Sequence, residues 1–314
     1  MIHNRLFLLT CAIGLVFSGF TSCEPENNAM STPHKVPAMI EDDNSESRHE
    51  WKSGETIGVY MLEDQTHQLL DGSVNIPYQT MGDGHFSAVN AVQTIQLPLL
   101  GDPATFFAYY PYTQNIGNDA NNPRWTIRNW DVQQDDWHKV DLLISEYVTG
   151  RNKEQSRVRF NFIHQFSMIK LNLLADEENS YLTREDLADA TITISNVSKD
   201  LTCQLFDGTL IYGAITHQDI HFNVADDGHV AVVVLPPDEN GIPLSDRIIR
   251  ISLSNGNVYQ ITIDNSLVFE KGNCYVWGIT LSGDTKISAE LQGSITDWND
   301  NILDDIELEA DNSI

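Results

Sequence analysis

Alternating apolar and polar residues, in short runs separated by turn residues, fill most of the chain after Trp51. Successive side chains of a β-strand point to opposite faces of its sheet, so this period of two predicts strands. Asn255-Gly256 lies between two such runs and is the strongest short hairpin signal. The predicted strands are residues 56–61, 105–110, 157–174, 191–194, 203–206, 230–235, 250–253, 258–263, 275–281 and 287–295.

The longest of these runs, residues 157–174, changes face part of the way along. Its apolar residues share one face as far as Met168 and the other face from Ile169 onward. Such a slip indicates either a β-bulge or a strand that is buried on both faces. Helix signals are scarce, and the best is a short segment from Arg184 to Ala190 that Thr183 can cap.

Many short strands with turn signals between them predict an all-β protein built from antiparallel β-sandwiches. A chain of 314 residues is long enough for two sandwiches in tandem. The polar stretch 149–155 separates two strand-rich halves and is the predicted boundary. We therefore expect an N-terminal sandwich over residues 51–152 and a C-terminal sandwich with an acidic tail over residues 153–314.

The first 22 residues have the layout of a secretory signal peptide. Arg5 is followed by an apolar run from Leu6 to Phe17, which is shorter than the roughly 20 residues of a membrane-spanning helix. The stretch Phe20-Thr21-Ser22-Cys23 resembles a lipobox, with Phe in place of the usual Leu. Cleavage between Ser22 and Cys23 and lipidation of Cys23 are therefore predicted. An ordinary signal peptide with an incidental Cys is the alternative.

The acidic composition narrows the range of partners. The chain has 18 Lys+Arg against 45 Asp+Glu and a formal net charge of −27. Such a surface repels phosphate backbones and anionic lipid, which argues against a nucleic-acid-binding protein. It suits a body held away from a membrane by a tether, and residues 23–50, which are polar and rich in Pro, are predicted to be that flexible tether.

Five stretches, in this order along the chain, resemble one known family. The first, residues 51–60, has a Trp, a Gly-acid pair and an Ile-Gly, and the second, residues 107–112, is an aromatic strand that ends in Tyr-Pro-Tyr. The third is Asp-Leu-Leu at residues 141–143, and the fourth is a Phe-x-His strand at residues 162–171. The fifth is a closing Asp-Trp within residues 295–298. No stretch is specific alone, but their order resembles the fimbrillins, which are the subunits of lipoprotein-derived (type V) fimbriae.

The resemblance implies two transthyretin-like β-sandwich domains and assembly by β-strand donation. In the family an Arg-specific protease removes an N-terminal strand, and the groove that is left accepts a strand of the next subunit. Arg48 is the corresponding candidate cleavage site, and the apolar patch from Val36 to Ile40 is the candidate removable strand. The alternate residues Ile306, Leu308 and Ala310 of the acidic tail form a candidate donor strand.

The implied partners are other fimbrial subunits, the outer membrane through the lipid, and a host protein or glycan. The implied location is the cell outer membrane, lipid-anchored and exposed on the surface, or the fimbrium if the chain is processed. An alternative interpretation is a monomeric surface lipoprotein that binds glycans. Its motivation is the set of Trp125, Trp130 and Trp137, since exposed aromatic rings stack on sugars, although packing in the first sandwich explains them as well.

Catalytic and cofactor motifs are missing from the sequence. No G-x-S-x-G, P-loop, G-x-G-x-x-G or C-x-x-C is present, so we expect neither an enzyme nor a cofactor. His217, Asp219 and His221 would share one face of a strand, a pattern that is more often a solvated face than a metal site. Cys203 and Cys274 could pair in an oxidising compartment or could be two buried thiols.

Overall fold

The computed structural model describes residues 39–42, 51–98, 101–127, 136–176, 182–198, 200–213, 217–225, 230–243, 245–282, 295–297 and 305–309. These residues are nearly all in β-strands and turns, so the prediction of an all-β protein is confirmed. Within them, no helix is long and apolar enough to cross a membrane.

The strands of the first half are β1 (Met39–Asp42), β2 (Thr56–Glu63), β3 (Ile76–Thr80), β4 (His85–Ala88), β5 (Ala104–Tyr110), β6 (Arg124–Ile127), β7 (Leu143–Ser145), β8 (Val148–Arg151), β9 (Arg157–Phe160) and β10 (Phe162–His164). The strands of the second half are β11 (Ser167–Ala175), β12 (Thr191–Ser198), β13 (Leu201–Gln204), β14 (Thr209–Tyr212), β15 (His217–Asn223), β16 (Val230–Leu235), β17 (Ile248–Ser252), β18 (Val258–Thr262), β19 (Asn273–Ser282), β20 (Ile295–Asp297) and β21 (Asp305–Glu309).

The first sheet has the order β10-β7-β5-β2-β3-β4-β1-β9, with β8 paired to β5. Both β9 and β10 belong to this sheet, although residues 153–314 were assigned to the second sandwich from the sequence. Of the polar stretch at the predicted boundary, residues 149–151 lie in β8 and residues 152–155 form the turn before β9, in which Gln155 N donates to Asn152 O at 3.0 Å. Apart from β6, which belongs to a smaller sheet, the described strands up to His164 all lie in the first sheet.

Two further sheets form the second half. One has the order β16-β11-β19-β20 with β21 paired to β19, and the other has the order β15-β12-β17-β18. Most strand pairs in the described residues are antiparallel, as predicted, while β1 with β9, β11 with β19 and β19 with β21 run parallel. The hairpin predicted at Asn255-Gly256 is confirmed: it joins β17 to β18, and Gly256 takes a φ of +94° that favours glycine there.

The slip of period at Met168–Ile169 marks burial on both faces. Ser167, Met168 and Ile169 are all buried at the start of β11, so the second of the two alternatives is the one observed. The predicted helix is shorter than expected. It covers Arg184–Leu187, and the carboxylate of Asp186 accepts hydrogen bonds from the backbone N and the hydroxyl of Thr183.

A small fourth sheet, β14-β13-β6, links the two halves. Phe206, in the turn after β13, lies edge-on to Tyr60 and Phe107, with ring centroids 5.2 and 5.3 Å apart. Tyr147 packs on Phe107 and donates its hydroxyl hydrogen to Phe206 O at 2.9 Å. Strands β2 and β5 are therefore buried on both faces, with one face towards the core of the first sheet and the other towards the second half.

Candidate functional site

The first strand, β1, lies in a slot between β4 and β9. It runs antiparallel to β4, with Ile40 paired to Phe86 and Glu41 to His85. It runs parallel to β9, with four successive pairs from Met39–Arg157 to Asp42–Phe160. β1 is thus hydrogen-bonded on both sides, which is the arrangement of an inner strand although it precedes the body of the fold in sequence.

β1 also closes a ring of hydrogen-bonded strands. β10 pairs with β7 at the far end of the sheet, and Asn161 alone separates it from β9. Glu146 N donates to Asn161 O at 3.0 Å. The hydrogen bonds between β7 and β10 therefore continue to the residue that joins β10 to β9. Among the described strands β9 pairs with β1 alone. Removal of β1 would therefore open the ring and leave two unpaired edges, on β4 and on β9.

The floor of the slot is aromatic and buried. Trp51 is 8% exposed and its ring lies edge-on to Phe86, Tyr110 and Phe162, with centroids 4.9, 5.3 and 5.5 Å away. Edge-to-face packing of this kind is a favoured geometry for aromatic pairs. Trp51 thus packs against Phe86 of β4 and against the aromatic rings of β5 and β10.

A buried hydroxyl completes the floor. Tyr110 donates to Glu55 Oε1 at 2.8 Å. Burial, followed by the adjacent Glu55 carboxylate, raises the pKa of Tyr110, so its hydroxyl stays protonated and available as a donor. The Gly-acid pair of the opening motif therefore has a structural reason: Glu55 anchors the aromatic strand next to it.

The rim of the slot carries cations. In β9, the side chains of Arg157 and Arg159 are exposed while Val158 and Phe160 are fully buried. In β4, His85 is exposed and Phe86 is buried. The slot therefore presents an apolar inner side and a basic outer side, in a chain whose overall charge is strongly negative.

The C-terminal strands occupy a different position, beside β19. β20 pairs antiparallel with the start of β19, and β21 pairs parallel with its end, from Gly278–Asp305 to Ser282–Glu309. The predicted donor residues Ile306 and Leu308 lie in β21, in register with Ile279 and Leu281 of β19.

Several predicted residues lie outside the described residues: Ser22, Cys23, Arg48, Trp130 and Ala310. The predicted removable strand, Val36 to Ile40, overlaps β1 at its last two positions. The sequence did not single out Arg157, Arg159 and His85, because exposed charges on strands are common and only the pairing with β1 groups these three.

Two of the motif stretches meet in the interior. His164 Nδ1 lies 3.0 Å from Asp141 Oδ1, and both residues are buried. Gln165 N donates to Leu142 O at 2.8 Å. Asp-Leu-Leu and Phe-x-His are thus neighbours at the place where the chain leaves the first sheet, a contact that the sequence did not predict.

The other candidate sites do not assemble in the part of the chain described. Trp125 is buried and packs near Phe166, so it belongs to the core and offers no open ring to a sugar. His221 contacts Thr193 at 3.0 Å, and no group of three metal-capable side chains occurs among the described residues. Cys203 and Cys274 are both buried, and they do not form a disulfide with each other.

Comparison with known proteins agrees with the order of the motifs. A family model described as Fimbrillin-like matches residues 42–298. Fim1C, a candidate fimbrium subunit of Bacteroides uniformis, is 28% identical over 258 residues, which cover 79% of this chain and 78% of that protein.

Solved structures show the same fold. A candidate cell adhesion protein of Bacteroides uniformis is 26% identical, with a TM-score of 0.70 over 84% of this chain and 99% of that one. Another from Bacteroides ovatus is 19% identical, with a TM-score of 0.59 over 87% of this chain and 98% of that one. Because the family match spans most of the sequence and all five motif stretches, the chain belongs to the fimbrillin-like family.

Proposed function

We propose that the protein is a fimbrial subunit, or a fimbria-associated lipoprotein, that assembles by β-strand donation and supports cell-surface adhesion. Membership of the fimbrillin-like family supports this function, and so do the relatives described as a fimbrium subunit and as cell adhesion proteins. The single observation that carries the mechanism is the position of β1, which lies within the predicted tether and fills a slot between two strands.

In the proposed mechanism, an Arg-specific protease cuts after Arg48. The cut separates β1 from Trp51 and the rest of the body, so β1 is then held by its two ladders without a covalent link to them. A strand of another subunit can replace it, because main-chain hydrogen bonds in a ladder are available to any extended segment of matching pattern. Partners in this assembly are other fimbrial subunits.

The donor in this proposal is the C-terminal strand, with Ile306, Leu308 and Ala310 at alternate positions. Alternation presents these residues to one face of the acceptor sheet and the acidic residues between them to the other. Among the described strands of the single chain, β21 pairs with β19 alone, so one described ladder has to break before donation.

We also propose that Cys23 carries a lipid after cleavage between Ser22 and Cys23, which places the exported chain on the outer membrane until Arg48 is cut. Several acyl chains on one residue anchor a protein firmly, since each buried CH₂ adds about 0.8 kcal/mol. Cys23→Ala should move the protein from the membrane fraction to the soluble fraction and abolish incorporation of labelled palmitate. Unchanged fractionation would contradict the lipid anchor.

We propose a tandem arrangement in which the first sandwich contains β1 to β5 and β7 to β10, and the second begins at β11. Gln165 and Phe166 then form the junction, and Gly272 N holds it by donating to Phe166 O at 2.7 Å. Because this junction is buried and hydrogen-bonded, an incoming strand in the first sandwich would leave the second sandwich intact.

An Arg-specific protease added to the mature chain tests the assembly mechanism. The proposal predicts a new N-terminus at His49 and a ladder of polymers on a native gel. Arg48→Ala is the matched control, since it should keep the chain uncut at this position and monomeric. If the cut chain stays monomeric, assembly of this protein into a fimbrial shaft is wrong.

A further inference from the structure

A small cavity lies in the second half, where the end of β12 meets the loops that follow β16 and β18. Its volume is about 100 Å³. Val197, Leu235, Pro236 and Phe269 line it and are all buried, so much of its wall is apolar. An engineered apolar cavity of about 150 Å³ binds benzene, so a volume of this size has room for about four non-hydrogen atoms.

Arg247 lines the cavity and carries a hydrogen-bond donor that the fold does not use. Its Nη1 donates to both carboxylate oxygens of Asp238 at 3.2 Å, and its Nη2 donates to Leu267 O. Arg247 is 1% exposed, and its Nε–H has no acceptor among the described residues. Buried donors in folded proteins almost always have a partner, so an acceptor oxygen from a ligand is expected at this position.

The surroundings of Arg247 decide the charge of that ligand. Asp238 already neutralises the guanidinium, and it is held in place because Phe269 N donates to its Oδ2 at 2.8 Å. The guanidinium Cζ also lies 4.0 Å from the centre of the Phe269 ring. Exposed Glu239 adds a further negative charge at the cavity. An anionic ligand would therefore be repelled, and the matching acceptor is the oxygen of a neutral group such as an amide.

The part of the lining that reaches the surface is polar. Glu239 is exposed, and Ser198 and Tyr212 are partly exposed. Tyr212 donates its hydroxyl hydrogen to Pro237 O at 2.6 Å, which fixes the ring at the cavity. A serine hydroxyl and a carboxylate bond readily to the hydroxyl groups of a sugar, and an aromatic ring offers an apolar surface to it. The cavity thus combines a small apolar interior that has one donor with a sugar-compatible opening.

We propose that this cavity binds the acetamido group of an N-acetylated amino sugar. The carbonyl oxygen accepts from Arg247 Nε, the methyl group packs against Phe269 and Pro236, and the sugar hydroxyls bond to Ser198 and Glu239. An acetamido group has about four non-hydrogen atoms, which matches the volume. The proposal gives the adhesion proposed above a ligand class. It does not rest on strand donation, because every lining residue follows β11 in sequence.

The test uses the uncut mature chain with Cys23→Ser and measures the binding of N-acetylglucosamine by saturation-transfer difference NMR. The acetyl methyl protons should receive the strongest saturation. N-acetylglucosamine should bind at least about tenfold more tightly than glucose, which lacks the acetamido group. Equal affinities for the two sugars, or no binding of N-acetylglucosamine, would overturn the proposal.

A small amide probe separates a sugar ligand from a peptide ligand. N-acetylglycinamide carries the same acetamido group without the sugar hydroxyls, so it should bind more weakly than N-acetylglucosamine. If it binds as tightly, the cavity recognises a peptide carbonyl and the assignment to an amino sugar is wrong. Since all of these measurements use the uncut monomer, their failure leaves strand donation standing, and a failure to polymerise leaves this site standing.

Two tryptophan variants locate the binding. Ser198→Trp fills the opening of the cavity and should weaken N-acetylglucosamine binding about tenfold or more. Ser252→Trp is the matched control: Ser252 is also a partly exposed serine on a strand, lies in β17 outside the cavity lining, and its replacement should change nothing. Unchanged binding by Ser198→Trp would show that the sugar binds elsewhere.

The role of the Arg247 donor has its own variant. Arg247→Lys keeps a positive charge beside Asp238 but lacks the Nε–H, so it should weaken N-acetylglucosamine binding about tenfold without changing the weak binding of glucose. Equal weakening for both sugars would contradict recognition of the carbonyl by Arg247. If this variant does not fold, as judged by far-UV circular dichroism, the two serine variants and the glucose comparison still decide the proposal.

Discussion

The two terminal strands occupy opposite kinds of position in this fold. β1 lies between β4 and β9 and closes a ring of strands, whereas β21 lies against β19 alone among the described strands. Loss of β1 opens two edges over an aromatic floor, and loss of β21 frees part of one edge. The loss of β1 is therefore expected to cost more stability than the loss of β21.

The floor of the slot should give the largest effect. Trp51→Ala removes a ring that contacts Phe86, Tyr110 and Phe162, and should lower the free energy of unfolding by about 3–5 kcal/mol, as for other buried aromatic truncations. Urea denaturation followed by far-UV circular dichroism measures the change. Trp137→Ala, at a half-buried ring, is the control and should cost less than half as much.

Deletion of each terminal strand compares the two positions directly. Removing residues 24–50 should destabilise the monomer by about 3 kcal/mol, and removing residues 303–314 by about 1 kcal/mol, since each net hydrogen bond contributes roughly 1 kcal/mol and β1 has ladders on both sides. Chemical denaturation at low protein concentration measures both. Equal losses in the free energy of unfolding would contradict the difference between the positions of β1 and β21.

The sequence predicted where the strands lie better than it predicted which strands pair with each other. Alternation located β2, β5, β12 and β16 because it is a local property of each strand. Neighbours depend on distant pairing, and a polar turn inside a sheet looks the same as a linker between domains. The stretch 149–155 is therefore predicted to be a boundary, and in the structure it contains the end of β8 and the turn before β9. The passage from β10 to β11, at Gln165 and Phe166, is buried and has no polar signal.

The candidate site was predictable only in part. A strand near residue 40 and an alternating strand near residue 306 were visible as patterns, and β1 and β21 lie there. The grouping of Arg157, Arg159 and His85 at the slot was not visible, because it depends on which strand lies beside β9. Register over a gap of more than a hundred residues cannot be deduced from either segment alone.

The link between the two halves should respond to a single hydroxyl. Tyr147→Phe removes the hydrogen bond to Phe206 O and should cost about 1 kcal/mol, with the ring contacts to Phe107 and His67 kept. Hydrogen exchange should increase on both sides of the junction. In the control Tyr212→Phe, which loses a bond to Pro237 O, the increase should stay within the second half. Identical exchange patterns would show that Tyr147 does not couple the halves.

The smallest expected effect concerns Cys203, whose rate of reaction with a thiol reagent should not change. Burial raises the pKa of its thiol to about 12, so neither access nor ionisation favours alkylation in the folded chain. Cys203 lies in β13, opposite Trp125 in the sheet that links the halves, away from the slot. In the mature chain with Cys23→Ser, cutting after Arg48 should therefore leave Cys203 as slow to react with a thiol reagent as before. A cysteine placed at exposed Ser87 of β4 reports on reagent access at the slot. Fast labelling of Cys203 after the cut would mean that breaking the chain between β1 and Trp51 destabilises the second half as well. The opening of the slot would then not be confined to the first sheet.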